Sequence, residues 1–389
     1  MRELRLLPKA DRRVRLGHAW VFSNEVDVAR TPLIAFDPGE LVLVRDAFGK
    51  PVGTAYVNPG ALICARVLSS DPKADINLEW WTARIRRAVA LRDSVYATPH
   101  YRAVYGESDG CPGLVVDRYG DVLVAQMNTA GIVRMRETVI EALQRVTGAK
   151  GILIRSAGSV RQIEGIDEFD EPVGDVPDVA EVREENASFA APLRKGQKTG
   201  YFFDQRDNRS RLARYARGRS VLDMYSYIGA WGVRAALYGA SGVTCADSSA
   251  LALEYARENA ARNGVRVETE EGDALEILGQ YAREGRKFGV VIVDPPALIK
   301  RRKDANAGQA LYERLNRLAL HVLDRDGILI SCSCSHHLEP AMLQRAILGA
   351  AKDAGRRAQI LERHAHAPDH PIHPAMPETE YLKAFFVRA

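Results

Sequence analysis

The stretch Ser220-Val221-Leu222-Asp223-Met224-Tyr225-Ser226-Tyr227-Ile228-Gly229-Ala230-Trp231-Gly232 is an apolar run that ends in an acid and then breaks into glycines. Its pattern predicts a short buried strand ending at Asp223, a tight turn, and a helix from Ala230 to Leu237. That is the opening βα unit of a doubly wound α/β sheet, in which ligands bind outside the carboxyl ends of the strands.

The following residues extend the sheet. Gly242–Ala246 reads as a second strand ending at Asp247, followed by a helix over Ser249–Arg262 that Asn263-Gly264 stops. A third strand near Val265–Thr269 runs into Asp273, and a fourth, Val290–Val293, into Asp294-Pro295-Pro296. A helix over Gln309–Leu323, a fifth strand Gly327–Ile330 running into Ser331-Cys332-Ser333-Cys334-Ser335, and strands near Gln359–Leu361 and Tyr381–Arg388 complete the alternation. Three consecutive strands thus end in acids, Asp223, Asp247 and Asp273, read as lying in register along one cleft. Asp247 follows Asp223 by 24 residues, near the spacing of a carboxylate that holds ribose hydroxyls. A dinucleotide site would need a glycine-rich turn against a pyrophosphate. Here an acid and two tyrosines stand in the turn, which suits a cationic ligand without phosphates, such as S-adenosylmethionine. Acids at strand ends also serve as helix caps.

Upstream, residues 1 to about 70 are β-rich, with Leu4–Leu7, Leu41–Val44 and Ala61–Leu68 strand-like and turns at Asp37-Pro38-Gly39, Gly49-Lys50-Pro51 and Asn58-Pro59-Gly60. Arg12, Arg13 and Arg15 precede Trp20 and Phe22; basic residues beside aromatics can hold phosphates and stack a base, or can be a solvated face beside core rings. This region resembles the small RNA-binding PUA domain, through Arg12–Glu25 and Gly39–Val44. A helix over Asn77–Asp93, a hairpin turning at Tyr119-Gly120-Asp121, a helix over 131–147 and a strand Gly151–Arg155 make a middle α+β domain. Glu164 to Glu185 carries ten acids against one base and reads as an exposed connection. The expected domains are residues 1–70, 71–190 and 191–389.

Charge reverses between Arg194 and Arg219, where nine Lys or Arg residues face Asp204 and Asp207. Within it Gly200-Tyr201-Phe202-Phe203-Asp204-Gln205-Arg206 is too polar for a core strand; it is placed over the cofactor pocket through Phe203, Gln205 and Arg206, or starts a helix capped by Asp204. Lys300-Arg301-Arg302-Lys303 follows the fourth strand, where four charges can grip RNA phosphates or form a solvated loop. His364, His366, His370 and His373 are irregularly spaced among prolines and read as a substrate-facing loop, not a metal site.

The net charge of +4 excludes a polycation, and no apolar run nears the roughly 18 residues of a membrane helix. There is no signal-peptide h-region, and five scattered cysteines argue for a reducing cytoplasm.

Residues 195–389 resemble the class I methyltransferases. That resemblance implies S-adenosylmethionine, with Asp223 and Gly229 near its methionine end, Tyr225 and Ser226 in the loop, Asp247 on the ribose and Asp273 near the adenine. The cysteines point to the reaction. Methylating pyrimidine C5 requires a thiolate to add at C6 first. Enzymes for exocyclic amines instead commonly carry an aromatic after Asp-Pro-Pro, where this chain has Ala297. We expect Cys332 and Cys334 to face apart, so that one acts, and choose Cys334 because it precedes Ser335-His336 where the cleft opens; a pair of small core residues is the alternative. No second cysteine pair completes a zinc site, and no metal is expected. Over its whole length the chain resembles the RlmI-type family of ribosomal RNA cytosine-C5 methyltransferases, through Gly17–Ser23, Pro112–Arg118, Lys198–Arg206, Asp294-Pro295-Pro296 and Ser333-Cys334-Ser335. The resemblance implies ribosomal RNA of the large subunit, 23S, as partner, Cys334 as nucleophile and Asp294 on the cytosine edge. A methyltransferase for uracil C5 or a guanine amine, or a non-catalytic RNA-binding assembly factor, stays open, as does the oligomeric state, a homodimer included.

Overall fold

The computed structural model describes residues 1–156 and 159–389, and the chain divides into two units. The first comprises Met1–Ala180, Leu193–Tyr201 and Pro368–Thr379; the second Glu181–Pro192, Phe202–Ala367 and Glu380–Ala389.

The first unit holds two five-stranded sheets. Strands β1 (Arg2–Arg5), β2 (Trp20–Phe22), β3 (Glu40–Arg45), β4 (Pro51–Val57) and β5 (Ile63–Ser69) form one, in the order β1-β3-β4-β5-β2. Alternating apolar residues such as Val42, Val44, Ala55 and Val57 point into its core. The other contains β6 (His100–Tyr105), β7 (Leu114–Tyr119), β8 (Val122–Met127), β9 (Gly151–Ser156) and β10 (Phe169–Gly174), in the order β10-β9-β8-β7-β6. Asn77 caps the helix Leu78–Val95 by accepting from Trp80 N. The helix expected over 131–147 is two, Ala130–Arg134 and Arg136–Thr147, and the second ends at Gly148 in the left-handed region.

Most acids of the run Glu164–Glu185 are exposed, as expected, but the run is largely strand and two of its acids are buried. Phe169–Gly174 is β10, paired antiparallel to β9, and Val179–Glu184 is β11, paired with β12 (Ala187–Pro192). Glu164 is buried in an ion pair with Arg66, 2.7 Å. Glu184 is buried among Arg206, Arg209 and Arg234. Burial would raise its carboxyl, but Arg209, Arg206 and Arg234 hold it below the usual range. A count of local charge misses such pairing because the partners lie elsewhere in the chain.

The second unit is the doubly wound sheet. Strands β13 (Ser220–Met224), β14 (Gly242–Asp247), β15 (Glu268–Glu271), β16 (Phe288–Val293), β17 (Leu323–Ser333), β18 (Gln359–His364) and β19 (Lys383–Arg388) lie in the order β15-β14-β13-β16-β17-β19-β18. The first five are parallel, and β19 runs antiparallel to both β17 and β18. The central strands are covered on both faces, so β16 and the buried part of β17 read as continuous apolar runs, whereas the edge strands β15 and β18 stay polar. Leu222, Met224, Val291 and Leu329 pack on one face with Leu278, Leu315 and Ile347 from three helices. Val221, Ile292, Ile330 and Cys332 pack on the other with Trp231, Leu253 and Ala256. Strand order reverses at β13, between β14 and β16, which puts a crevice at the carboxyl ends of these strands.

Candidate active site

The acids on this edge are staggered, not in register. Asp223 pairs in the ladder with Cys245 and Ile292, so it lies inside the sheet and is fully buried. Asp247 lies two residues beyond Cys245 on β14, and Asp294 two beyond Ile292, so both stand further out. Asp273 follows β15 by two residues, is exposed, and caps the helix Ala274–Arg283 by accepting from Leu275 N and Glu276 N. Asp247 accepts from Tyr227 N at 2.9 Å and Ser249 N at 3.0 Å, which ties the loop after β13 to the end of β14.

That loop does without glycine where it turns. Tyr225 and Tyr227 take φ of +61° and +49°, and each carries the strain of a bulky residue in the left-handed region. Ser226 N donates to Ala246 O, and Gly229 N to Ser226 O. Gly229 has φ +77°, and a Cβ there would lie 2.9 Å from Ala256 Cβ, so the site needs glycine on both counts. Asp223 Oδ2 accepts from Gly232 N, 2.9 Å, whereas its Oδ1 and the buried Ser226 Oγ have no hydrogen-bond partner among the described residues. Burial raises the Asp223 carboxyl well above its usual range, and the charges of Asp294 and Asp247 add to this. A buried acid with an unpartnered oxygen, beside an unpartnered hydroxyl and a turn with room for no Cβ, fits the cationic amino-acid end of S-adenosylmethionine.

A stability test follows. Because the folded-state value of Asp223 is raised, its ionisation costs the fold stability as pH climbs above the unfolded value of about 3.9. Asp223→Asn is therefore expected to raise the thermal midpoint of the ligand-free protein at pH 8, with the gain vanishing near pH 4. The same variant should bind S-adenosylmethionine more weakly in calorimetry. Equal midpoints for variant and parent at pH 8 would argue against a buried charge.

Asp294 accepts from Gln205 Nε2 at 3.0 Å on both oxygens and from Trp231 Nε1 at 3.1 Å. Burial pushes its carboxyl up to about 6, against those hydrogen bonds. Gln205 is set by the 3-10 turn Phe203–Gln205, and its Oε1 accepts from Asn208 Nδ2, 2.7 Å. The cap position of the helix Arg206–Arg211 is Gln205, and Tyr381 OH donates to Asp204, 2.5 Å. Phe203 is buried, with the Arg206 guanidinium over its ring at 5.4 Å.

The strand expectation for the thiols is corrected on one point. Residues two apart on a strand share a face, so alternation cannot separate Cys332 from Cys334. The strand's end does, because β17 stops at Ser333. Cys332 is fully buried in the sheet, and burial raises its thiol well above the ordinary value, with Asp294 adding to the rise. Cys334 is half-buried, and its Sγ lies 3.8 Å from Pro295 O, against the Asp294-Pro295-Pro296 turn. Ser333 and Ser335 flank it and both bond Tyr312 OH, at 2.8 and 3.0 Å. Ala297 is half-buried.

The expected RNA contacts are mixed. Lys300, Arg301, Arg302 and Lys303 are exposed after β16, and Arg301 pairs with Asp304 at 3.0 Å. In the first unit Arg12 is exposed, but Arg13 pairs with Glu25 at 2.8 Å and Arg15 with Asp11 and Asp46 at 2.6 and 3.0 Å. Trp20 Nε1 donates to Glu107, 2.8 Å. The histidines are tied into structure: His364 bonds Glu362, His370 bonds Asp369, and His366 Nε2 accepts from the Tyr381 and Leu382 amides. Among the described residues no group of three or more His, Cys, Asp or Glu is placed to hold a metal, and no helix is long and apolar enough to cross a membrane.

Sequence reasoning missed Trp231, Asn208, Tyr312 and Lys383. Lys383 had a signal, a lone charge opening the apolar run Ala384-Phe385-Phe386-Val387. Trp231 and Tyr312 had none, since a helical aromatic is most often core.

Residues 170–388 match the family described as S-adenosylmethionine-dependent methyltransferase, and residues 4–70 match a PUA-like domain. The fold has solved counterparts: a structure described as a SAM-dependent methyltransferase from Streptococcus mutans, and a methyltransferase complexed with SAH, each superpose with a TM-score of 0.84 at 20% identity over the full length of both chains. The sheet order, the acid-lined edge and the family match together define an S-adenosylmethionine-dependent methyltransferase. The ribosomal RNA large subunit methyltransferase I of Shewanella denitrificans is 36% identical, covering 99% of this chain and 98% of that one. The protein of the same name from Erwinia tasmaniensis is 36% identical over 95% of each chain. The chain belongs to the ribosomal RNA large subunit methyltransferase I family.

Proposed function

We propose that the protein methylates C5 of a cytosine in 23S ribosomal RNA, in the cytoplasm, through a covalent adduct between Cys334 and C6. The observation that carries this reading is the placement of Cys334 against the Asp294-Pro295-Pro296 turn at the crevice edge. In this reading residues 1–70 bind RNA, 71–190 form the middle domain and 191–389 carry the chemistry.

Asp223, Ser226 and the Tyr225–Gly229 loop would hold S-adenosylmethionine, with Asp247 at its ribose and Asp273 at its adenine. When bound, the group supplies an electrophilic methyl carbon on a sulfonium. The chain's own residues do the rest. The target base must leave its stack or already be single-stranded to reach the crevice. Cys334 thiolate adds to C6, and the C5–C6 π pair moves onto C5. C5 takes the methyl group as its bond to sulfur breaks, the pair remaining on that sulfur. A base then removes the C5 proton, the Cys334–C6 bond breaks, and the ring double bond and the thiolate return.

Asp294 has the proton affinity to help. At about 6, its carboxyl exchanges a proton near neutrality. Protonated, it donates to cytosine N3 while its other oxygen accepts from the exocyclic amine. Uracil presents N–H at position 3 and a carbonyl at position 4, the reverse pattern, so this geometry favours cytosine.

The test is nucleoside mass analysis of 23S RNA from a strain lacking the gene, with the site mapped. Loss of one 5-methylcytidine, restored by the purified protein and S-adenosylmethionine, is expected. Loss of 5-methyluridine or a methylguanosine instead would replace the substrate, and no change in any nucleoside would leave an RNA-binding role.

A further inference from the structure

We infer that Lys383 is a positioning residue for Cys334, its ammonium held on the backbone carbonyl that follows the thiol so that the thiolate forms at neutral pH. This rests on the reading of Cys334 as nucleophile.

Lys383 opens β19 and pairs in the ladder with Ser333, the last residue of β17. It is 6% exposed, in a strand otherwise apolar up to Arg388. A lysine in such a place must spend its hydrogen-bonding groups on the protein. Its Nζ donates to Ser335 O at 2.6 Å and Tyr381 O at 2.7 Å. Ser335 is the residue after Cys334, so the amine is clamped against the backbone that carries the thiol. Two carbonyl acceptors fit the protonated amine, which has donors only.

The charge coupling agrees with the geometry. Burial lowers the ammonium and a charged Cys334 raises it, leaving it at about 8. Such coupling is reciprocal: a thiolate that favours the ammonium is favoured by it to the same extent. The other titratable groups here do not supply this charge. Tyr312 and Cys332 also couple to Cys334, Glu380 to Lys383, and Asp294 and Asp204 to Cys332. Each is neutral or negative. His336 and His337 follow Cys334, their rings 5.4 Å apart. With its ammonium at about 8, Lys383 is largely protonated at neutral pH, and the thiol proton goes to solvent when the thiolate forms.

The experiment measures iodoacetamide alkylation of Cys334 in the full-length protein between pH 7 and 10, located by peptide fragmentation, with Cys334→Ser as blank. In the unsubstituted protein the midpoint is expected below the ordinary thiol value of about 8.5. In Lys383→Met it should rise by about one pH unit, slowing alkylation at pH 7 roughly tenfold, and Lys383→Arg should return it towards the parent. A parent midpoint at or above the ordinary thiol value overturns the inference with no variant needed. So does a folded Lys383→Met with an unshifted midpoint. These readings use no RNA and no methyl donor, so they stand apart from the assignment of Cys334, which the turnover of Cys334→Ala decides.

Discussion

Replacing Cys334 with alanine is expected to lower methyl transfer by roughly a thousandfold or more while leaving S-adenosylmethionine affinity within about twofold. The size of the loss reflects the chemistry. Pyrimidine C5 is too weak a nucleophile to take a methyl group unless a thiolate has first added at C6, so no neighbouring group can substitute. The affinity is preserved because the loop over Tyr225–Gly229 and the acids Asp223 and Asp247 belong to β13 and β14, whereas Cys334 follows β17. Cys332 will not rescue the variant: it is fully buried, with its thiol raised well above the ordinary value. Single-turnover assays with labelled donor, beside calorimetry, read both quantities. Turnover by Cys334→Ala near the parent rate would remove the covalent mechanism.

Replacing Asp294 with alanine should reduce kcat by about a hundredfold to ten-thousandfold, the range for removing a positioned general acid or base. The fold should survive. The substitution leaves Gln205 Nε2 and Trp231 Nε1 without their acceptor, at about 1–3 kcal/mol for an orphaned buried donor. It also removes a carboxylate whose ionisation burial already opposes, so the two effects offset each other. A matching prediction concerns pH. The Gln205 amide donates to Asp294 and favours its ionised form, so Gln205→Leu should move the limb on which the rate falls as Asp294 loses its proton to higher pH. The parent limb is expected near pH 6, and identical limbs in the two proteins would show that Asp294 does not set it.

Much of the second unit was legible because its central strands are short apolar runs that end in acids, whereas the polar edge strand Glu268–Glu271 was expected earlier, near Val265–Thr269. The strand ending at Asp223, the helix Ala230–Leu237, the strand ending at Asp247 and the helix to Arg262 follow from local pattern, and the structure places them within a residue or so. The segment Glu164–Glu185 shows where local pattern fails. Its charges suggested solvent, yet Glu164 and Glu184 are buried because Arg66, Arg206, Arg209 and Arg234 come to them from far along the chain. The arginines before Trp20 show the same in reverse: a basic cluster looked free, and Arg13 and Arg15 turn out to be paired.

The amino-acid sequence by itself determined the kind of sheet, the identity of the acids at its edge and the presence of a thiol at the end of β17, since periodicity and turn chemistry are local properties. Tertiary structure alone decided where those groups stand and how far each is buried. The stagger between strands buries Asp223 and brings Asp294 outward. The end of β17 at Ser333 separates Cys334 from Cys332. Antiparallel pairing of β19 with β17 carries Lys383 across some fifty residues of chain to the backbone beside Cys334. Charge, burial and hydrogen bonding depend on distance in space, and that distance is set only when the sheet is assembled.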